Sequence, residues 1–364
     1  MKNFFNILFN AYIFKNRPLS LIHFVTNKCN ARCKHCFIDF KDPRNFRNDL
    51  TLPQIKKMSK TFGRSLININ LTGGEPFLRK DIFEIAKCYF QNTTIRSLFI
   101  STNGMYTKKI KDFVSRFKKQ KIKGKLIFSI SIDDFEKEHD KNRCVKGLFK
   151  NALLTYHMIK DLHDPDVIAN IAITVTPYNY KHVVKLYHHL KVIGVDAFTA
   201  TLMRAEGVIK KIDKKEKIKI LKSYTELTDL IHCDLKKITS SGFGNHLQGI
   251  LMNAKNIMIN RILASTYISP RYITRCSALR QFGVIYANGD VYPCEILKFF
   301  NLGNLKSYNM NYLKLMKDKK AKECRHWIKM TMCNCTFECI WTINIISHFR
   351  FIPSLLYYAW KVRK

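Results

Sequence analysis

The sequence predicts an α/β fold in which six strand–helix units form a parallel sheet, followed by a small cysteine-rich domain. Between Leu19 and about Met203, apolar runs of strand length alternate with longer segments of helical periodicity. Six of the twelve cysteines then fall between Cys276 and Cys339. Such alternation is typical of a parallel sheet covered by helices. Right-handed crossovers would curl that sheet into an open barrel whose functional loops follow the strands.

The expected elements follow in order along the chain. The strands are Leu19–Val25, Leu66–Leu71, Ser97–Ser101, Leu126–Ile132, Ile168–Val175 and Ala197–Leu202. The helical patterns between them are Leu52–Phe62, Asp81–Phe90, Lys108–Lys119, Leu148–Leu162 and Tyr180–Ile193. Farther on, Gly283–Pro293 alternates like a β-hairpin around an Asn288-Gly289 turn. We divide the chain into an amphipathic segment at 1–18, the barrel at 19–237, a connecting region at 238–272, the cysteine-rich domain at 273–342 and an aromatic and basic segment at 343–364.

Composition and charge limit the classes of partner. An apolar fraction of 46% in 364 residues indicates a globular protein. Clustered cysteines without a visible secretory signal indicate a reducing, cytoplasmic compartment, where they more often bind metal than form disulfides. The formal charge of +36 favours anionic partners, although a biased Lys, Asn and Ile composition explains it equally well. No recognisable RNA-binding motif is present, so we expect no specific nucleic acid.

Both ends of the chain are rich in aromatic and aliphatic residues. Residues 1–17 are too few to span a bilayer, and polar residues interrupt 340–364. Each end has two alternative roles. It packs against the folded core, or it lies peripherally at the anionic inner face of the membrane.

Three cysteines follow the first expected strand. Cys29, Cys33 and Cys36 have the spacing C-x3-C-x2-C. A closed zinc site needs four ligands, and a [4Fe–4S] cluster is normally held by four cysteines, so three thiolates would leave one iron free. A structural thiol group or a partial zinc site is the alternative. The spacing resembles that of radical S-adenosylmethionine (SAM) enzymes, in which the open iron chelates the amino and carboxylate groups of SAM. An electron from the cluster then cleaves SAM to a 5′-deoxyadenosyl radical that abstracts hydrogen.

Further loops carry the same resemblance. The loop after the second strand resembles the family's G-G-E-P motif, whose backbone and carboxylate meet the SAM amino group. The polar end of the third strand is similar to the segment near the SAM carboxylate and ribose, and the loop after the fourth resembles an S-x-D and H-D-x-x-R stretch, with Asp134 where glycine is usual. A solvated helix start is the alternative for His139 and Arg143. The cofactor-binding residues so implied are Gly73, Gly74, Glu75, Pro76, Ser101, Asn103, Ser131, Asp133 and Arg143. Arg204, after the sixth strand, is a further expected cofactor-binding residue, because an arginine can pair with a carboxylate in bidentate fashion.

The second cysteine group resembles the opening of SPASM and Twitch extensions, which hold auxiliary [4Fe–4S] clusters. Cys276 and Cys294 fit C-x12-G-x4-C around Gly289. The later C-x2-C-x5-C-x3-C run of a full SPASM module is incomplete, and only Cys335-x3-Cys339 matches its end. The resemblance therefore implies one auxiliary cluster. Its expected ligands are Cys276, Cys294, Cys335 and Cys339, with Cys333 as an alternative to Cys335 and a zinc ribbon as the alternative site.

The resemblance implies a partial (β/α)6 TIM-like barrel with a SPASM/Twitch-like C-terminal domain. The expected activity is that of a radical SAM oxidoreductase or maturase that abstracts hydrogen from a sugar, a lipid-linked molecule or a peptide, for an oxidation or a cross-link. Its expected cofactors are SAM, the SAM-binding [4Fe–4S] cluster and one auxiliary [4Fe–4S] cluster, with a flavodoxin- or ferredoxin-like electron donor. The sequence identifies no catalytic side chain. The alternative is a non-catalytic, zinc- or cluster-stabilised basic protein that binds nucleic acid.

Overall fold

The computed structural model describes residues 2–46, 48–203, 212–236 and 247–363. Arg204, which the sequence places in the cofactor site, lies outside these described residues. The strands of the described part are β1 (Ser20–Thr26), β2 (Asn68–Gly73), β3 (Ser97–Thr102), β4 (Lys125–Ser131), β5 (Val167–Val175), β6 (Phe198–Leu202), β7 (Phe282–Ile285), β8 (Asp290–Tyr292) and β9 (Gly303–Asn304).

The helices lie between and after these strands. They are α1 (Lys2–Phe9), α2 (Leu52–Ser59), α3 (Ile82–Asn92), α4 (Thr107–Lys119), α5 (Glu136–Arg143), α6 (Leu148–Lys160), α7 (Val183–Val192), α8 (Lys214–Lys236), α9 (Leu247–Thr266), α10 (Tyr312–Leu315), α11 (Lys319–Met330), α12 (Glu338–Ser347) and α13 (Ile352–Arg363). A short π-helix, Asn10–Phe14, continues α1.

The described strands form one sheet in the order β6-β5-β4-β3-β2-β1-β7-β8-β9. Strands β1 to β6 pair in parallel with their sequence neighbours, and every residue of β1 is buried. Helices connect these strands, as right-handed βαβ units require. The predicted partial (β/α)6 barrel is therefore confirmed. Its six strands lie within two residues of their predicted bounds.

The cysteine-rich region is joined directly to the barrel. Strand β7 pairs in parallel with β1, and β7 and β8 form the predicted antiparallel hairpin. The backbone N–H groups of Leu19 and Ser20 both donate to the carbonyl of Gln281. Gly289 in the hairpin turn has a φ of +96°, in the left-handed region that favours glycine. The pairing places the second cysteine group beside the strand that leads to the first.

No single helix among the described residues is both long and apolar enough to cross a membrane. Two consecutive segments, Glu338–Ser347 and Phe349–Arg363, meet the length and composition criteria only when taken together, and they are bent by 95° at their junction.

Candidate active site

A cavity of about 280 Å³ opens at the carboxyl ends of the barrel strands. Parallel sheets of this class place their functional loops at this end. The predicted site residues that line it are Cys29, Cys33, Cys36, Gly73, Gly74, Ser101, Asn103, Ser131 and Arg143. Glu75, Pro76 and Asp133 lie behind this lining. The strand ends thus bring together residues that are up to 114 positions apart in the sequence, from Cys29 to Arg143.

Backbone hydrogen bonds hold the loop of Cys29, Cys33 and Cys36 on two sides. On one side, Gly74 N donates to Thr26 O at 2.8 Å and Glu75 N donates to Lys28 O at 2.9 Å. On the other side, the segment at the end of α5 accepts from the loop, with Arg32 N at 3.0 Å from Arg143 O. Main-chain hydrogen bonds therefore hold the cysteine loop against both the end of β2 and the end of α5.

The glycine pair after β2 is required by close contact between chains. A Cβ atom on Gly73 would lie 1.9 Å from Thr26 O, and one on Gly74 would lie 2.2 Å from Lys28 O. The absence of a Cβ atom at both positions therefore lets the end of β1 and the start of the cysteine loop pass close to residues 73 and 74.

We expect Gly74→Ala to reduce the iron held by the first cysteine group. The new methyl group overlaps a backbone carbonyl, so the loop must shift and its thiols lose their arrangement. Gly147→Ala is a control for backbone strain without a clash, because Gly147 has a φ of +76° and its added Cβ would approach no atom closer than 3.9 Å. Iron analysis after anaerobic reconstitution checks this. Equal iron content in both variants would contradict it.

Glu75 is buried and points towards the end of β3. Its carboxylate accepts hydrogen bonds from Phe77 N at 3.0 Å, Thr102 Oγ1 at 2.8 Å and Asn103 N at 2.8 Å. Burial raises the pKa of Glu75 even though these hydrogen bonds lower it. Glu75 thereby positions Asn103, which does line the cavity. The direct contact with the SAM amino group that the motif predicts for Glu75 stays a prediction.

Asn103 links two of the predicted segments. Its side-chain amide donates to Asn30 Oδ1 at 2.9 Å, in the loop between Cys29 and Cys33. Its own Oδ1 accepts from Met105 N at 3.0 Å. The side chain of Asn103 therefore connects the end of β3 to the cysteine loop.

Asp133 and Arg143 form a buried ion pair beneath the cavity. Arg143 Nε and Nη2 donate to Asp133 Oδ2 at 2.9 and 2.5 Å, and Arg143 Nη1 lies 3.8 Å from Cys33 Sγ. Burial alone would raise the pKa of Asp133, but the charges of Arg143, His35 and His139 lower it to about 2. The pair therefore stabilises the fold above the ordinary Asp pKa of about 4, and this contribution is lost as the pH falls from there towards 2.

The solvated alternative for the H-D-x-x-R stretch is wrong. His139 is fully buried, Arg143 is 6% exposed, and Asp133 N donates to His139 Nδ1 at 3.2 Å. The carboxylate of Asp140 accepts from Gly147 N and Phe149 N, at the start of α6. The H-D-x-x-R stretch therefore packs behind the site, and of its motif residues only Arg143 lines the cavity.

Residues from the cysteine-rich domain also line the cavity. Glu295, Phe337 and Glu338 were not predicted from the sequence, and Cys339 was predicted as a ligand of the auxiliary cluster instead. Glu295 directly follows Cys294, which is the one sequence signal that pointed to it. His35 was also missed, although it lies between two of the cysteines and its Nε2 is 3.6 Å from Asp133 Oδ2.

A second cavity, of about 210 Å³, lies within the cysteine-rich domain. Four cysteines line it, namely Cys276, Cys294, Cys333 and Cys335. The remaining wall is mostly apolar, with Ile296, Leu297, Trp327 and Ile340. Cys339, the fourth ligand expected from the sequence, instead lines the first cavity. Helix α12 begins at Glu338, so Cys339 lies on a helix while Cys333 and Cys335 lie in the loop before it.

The donor sets of both cavities fit iron–sulfur clusters. Within the described residues, no three His, Cys, Asp or Glu side chains converge tightly enough to hold a single metal ion. The thiols instead border cavities, which suits a cluster of several irons better than one zinc ion. Burial raises the pKa of Cys29 to about 12 and that of Cys36 to about 11, and bound iron would supply the positive charge that makes them thiolates.

Comparison with known families agrees with this geometry. A family model described as the radical SAM superfamily matches residues 24–190, and an iron–sulfur cluster-binding model, SPASM, matches residues 276–339. The chain contains a radical SAM domain. It is an enzyme, its cofactors are SAM and [4Fe–4S] clusters, and its C-terminal cysteine region is a SPASM domain. The alternative of a non-catalytic nucleic-acid-binding protein is therefore wrong.

Solved structures show the same fold at low sequence identity. A structure of anSMEcpe with bound AdoMet (SAM) has a TM-score of 0.60 at 19% identity and covers 94% of this chain and 95% of its own. Streptococcus suis SuiB bound to the precursor peptide SuiA has a TM-score of 0.60 at 14% identity and covers 87% and 68%. The radical SAM enzyme described here therefore shares their architecture from the barrel into the SPASM domain.

Curated relatives match shorter stretches. GTP 3',8-cyclase of Photorhabdus laumondii subsp. laumondii is 38% identical over 81 residues, which is 22% of this chain and 25% of that protein. Fe-coproporphyrin III synthase of Methanosarcina barkeri is 28% identical over 180 residues, or 49% and 42% of the two chains. The matches thus span 25% and 42% of the lengths of these two relatives.

Proposed function

We propose that this radical SAM enzyme abstracts a hydrogen atom from a substrate held between its two cysteine groups and oxidises or cross-links the product. The observation that carries the proposal is the composition of the first cavity. Three thiols line it, and the SPASM domain contributes Glu295, Phe337 and Glu338 to the same lining. A substrate in this cavity would lie between the SAM-binding residues and the auxiliary site.

The residues around the cavity have separate roles in this proposal. Cys29, Cys33 and Cys36 hold the first cluster, which when bound supplies the electron that cleaves SAM to methionine and a hydrogen-abstracting 5′-deoxyadenosyl radical. The polar strand ends at Ser101 and Asn103 orient SAM. The aromatic rings of Phe37, Phe40 and Phe337 exclude water from a site where a radical would attack it.

For the auxiliary site we propose the ligand set Cys276, Cys294, Cys333 and Cys335. All four border one cavity, and the hydrogen bond from Trp341 Nε1 to Cys335 O, at 2.8 Å, fixes the loop that carries two of them. This set replaces Cys339 of the sequence-based assignment with Cys333. An auxiliary cluster held by these four cysteines would supply an acceptor for the electron that a net oxidation removes from the substrate.

The acidic residues of the cavity lining indicate which chemical groups of a substrate would bind there. Two acidic residues, Glu295 and Glu338, belong to the cavity lining together with the SAM-binding strand ends. Carboxylates accept hydrogen bonds from hydroxyl and ammonium groups and repel phosphate. We therefore favour a sugar ring or a peptide side chain as the group that enters the cavity, including one carried on a lipid-linked molecule whose phosphates remain outside.

The test uses reduced, reconstituted enzyme with SAM and three substrate panels, namely peptides, amino sugars or nucleotide sugars, and lipid-linked sugars. The expected result is that one panel raises 5′-deoxyadenosine formation and yields a product two hydrogens lighter or cross-linked, by mass spectrometry. Glu295→Gln should reduce this stimulation while the substrate-free cleavage of SAM stays as in the wild type. A substrate that reacts equally well in Glu295→Gln would contradict the role given to this wall.

An acidic flavodoxin- or ferredoxin-like protein is the electron donor we propose. The formal charge of +36 supports this choice, because complementary charge accelerates the encounter of redox partners. The rate of cluster reduction should therefore fall steeply as the salt concentration rises. A rate that does not depend on salt would contradict this choice.

A further inference from the structure

We infer that the two chain ends together form a docking surface for an anionic lipid bilayer. This terminal surface consists of the exposed apolar residues Phe5, Leu8, Phe9, Ile13, Phe14, Phe349, Leu356, Tyr357 and Trp360. It lies outside the catalytic cavity, so the inference does not depend on the proposed function.

Exposed apolar side chains are concentrated on this surface. Of the 19 exposed large hydrophobic residues in the described part of the chain, nine belong to the terminal surface. Phe14 is 63% exposed and Phe349 is 64% exposed. Single exposed hydrophobic residues are ordinary on soluble proteins, whereas a group of neighbouring ones marks a contact site.

The N-terminal segment is fixed by its polar residue. Asn10 is buried, and its side-chain amide donates to Arg17 O at 2.8 Å and to Ser65 Oγ at 3.2 Å. Gln281 Nε2 donates to the carbonyls of Asn10 and Ala11. These contacts hold the π-helix against the barrel, while Phe9 just before it and Phe14 at its end remain exposed. The sequence alternatives of packing and membrane contact are therefore not exclusive.

The two ends lie side by side. The ring of Tyr12 stacks on Phe349 with 4.3 Å between centroids, and Lys15 Nζ donates to Ser347 O at 2.9 Å. Farther along α13, Arg261 Nη1 donates to Tyr358 OH at 2.8 Å, which ties that helix to α9. The exposed rings of both ends are therefore held on the folded protein and are not carried by loose tails.

The charge around this surface selects the partner. Residues 1–18 and 340–364 contain no Asp or Glu and seven Lys or Arg. Aromatic and aliphatic side chains that are flanked by basic ones suit the interface of an anionic leaflet. A second copy of this chain would bring two positive surfaces face to face, which charge repulsion disfavours.

Docking through this surface leaves the active site accessible. The contacts of Asn10 and Gln281 lie just before β1, β2 and β7, at the amino ends of the strands. The catalytic cavity lies at the carboxyl ends. The N-terminal part of the surface and the cavity therefore lie at opposite ends of the barrel strands.

The test is co-sedimentation of full-length reconstituted enzyme with phosphatidylcholine vesicles, with or without phosphatidylglycerol, across a salt series. The test variant is Ile13→Ser/Phe14→Ser/Trp360→Ser. The matched control is Leu154→Ser/Val192→Ser/Met330→Ser, three exposed apolar residues elsewhere. Iron content and substrate-free SAM cleavage verify that both variants fold.

The wild type and the control are expected to bind anionic vesicles at least tenfold more tightly than neutral ones. A salt-resistant remainder should persist, because burial of apolar side chains is not screened. The test variant should lose that remainder. Equal binding by test and control variants, or no binding by the wild type, would overturn the proposal. A concentration-dependent dimer that only the test variant abolishes would instead assign the surface to a second copy.

Discussion

Cys33→Ala enzyme is expected to form no 5′-deoxyadenosine from SAM, whereas reduced wild-type enzyme forms it slowly even without substrate. Cys33 lines the cavity and lies 3.8 Å from Arg143 Nη1. Two remaining thiols cannot hold a four-iron cluster that also leaves one iron open to SAM. Iron should fall from about eight to about four per chain, since the auxiliary cluster has its own ligands. Chromatography of the nucleoside and iron analysis measure both quantities.

The control for this prediction is Cys233→Ala. Cys233 is an exposed thiol on α8, away from both cavities. Its replacement should leave iron content and SAM cleavage as in the wild type. Wild-type cleavage by the Cys33 variant would show that the first cluster is held elsewhere.

Cys333→Ala enzyme is expected to lose the auxiliary cluster, while Cys339→Ala enzyme keeps it. Cys333 borders the second cavity together with Cys276, Cys294 and Cys335, whereas Cys339 borders the first. The Cys333 variant should therefore retain about half of its iron and still cleave SAM without substrate. Oxidised product should not form, because the electron acceptor is missing. Iron analysis and product assays on the two variants decide the assignment.

The reverse pattern would restore the ligand set expected from the sequence. In that case Cys339→Ala would halve the iron content and Cys333→Ala would leave it unchanged. Unchanged turnover of substrate in the Cys333 variant would make the auxiliary site structural and would remove its role as electron acceptor.

The barrel was predictable because its signals are local. Each strand is an apolar run bounded by polar or turn residues, and β1, Ser20–Thr26, is buried along its whole length. The spacing of Cys29, Cys33 and Cys36 is equally local, since one loop after one strand contains all three. Parallel topology then brings the successive strand ends to one edge of the sheet.

The contacts that complete the site were not predictable, because they join distant parts of the chain. The pairing of β7 with β1 joins the cysteine-rich domain to the barrel, and Glu295 and Glu338 of that domain line the cavity. The spacing of the cysteines does not show that α12 begins at Glu338. It also does not show that Cys339, on this helix, lines a different cavity from Cys335. Likewise, the carboxylate of Glu75 meets the backbone of Asn103, which sequence spacing alone does not reveal.

The measurement that tests the central claim most directly is electron paramagnetic resonance of reduced Cys276→Ala enzyme during a titration with SAM. This variant should lack the auxiliary cluster, so the spectrum reports the first cluster alone. If three cysteines leave one iron open, the g-values should shift as SAM binds, and 5′-deoxyadenosine should accumulate. A spectrum that SAM does not change, or stoichiometric zinc in place of iron, would contradict the radical SAM site described here.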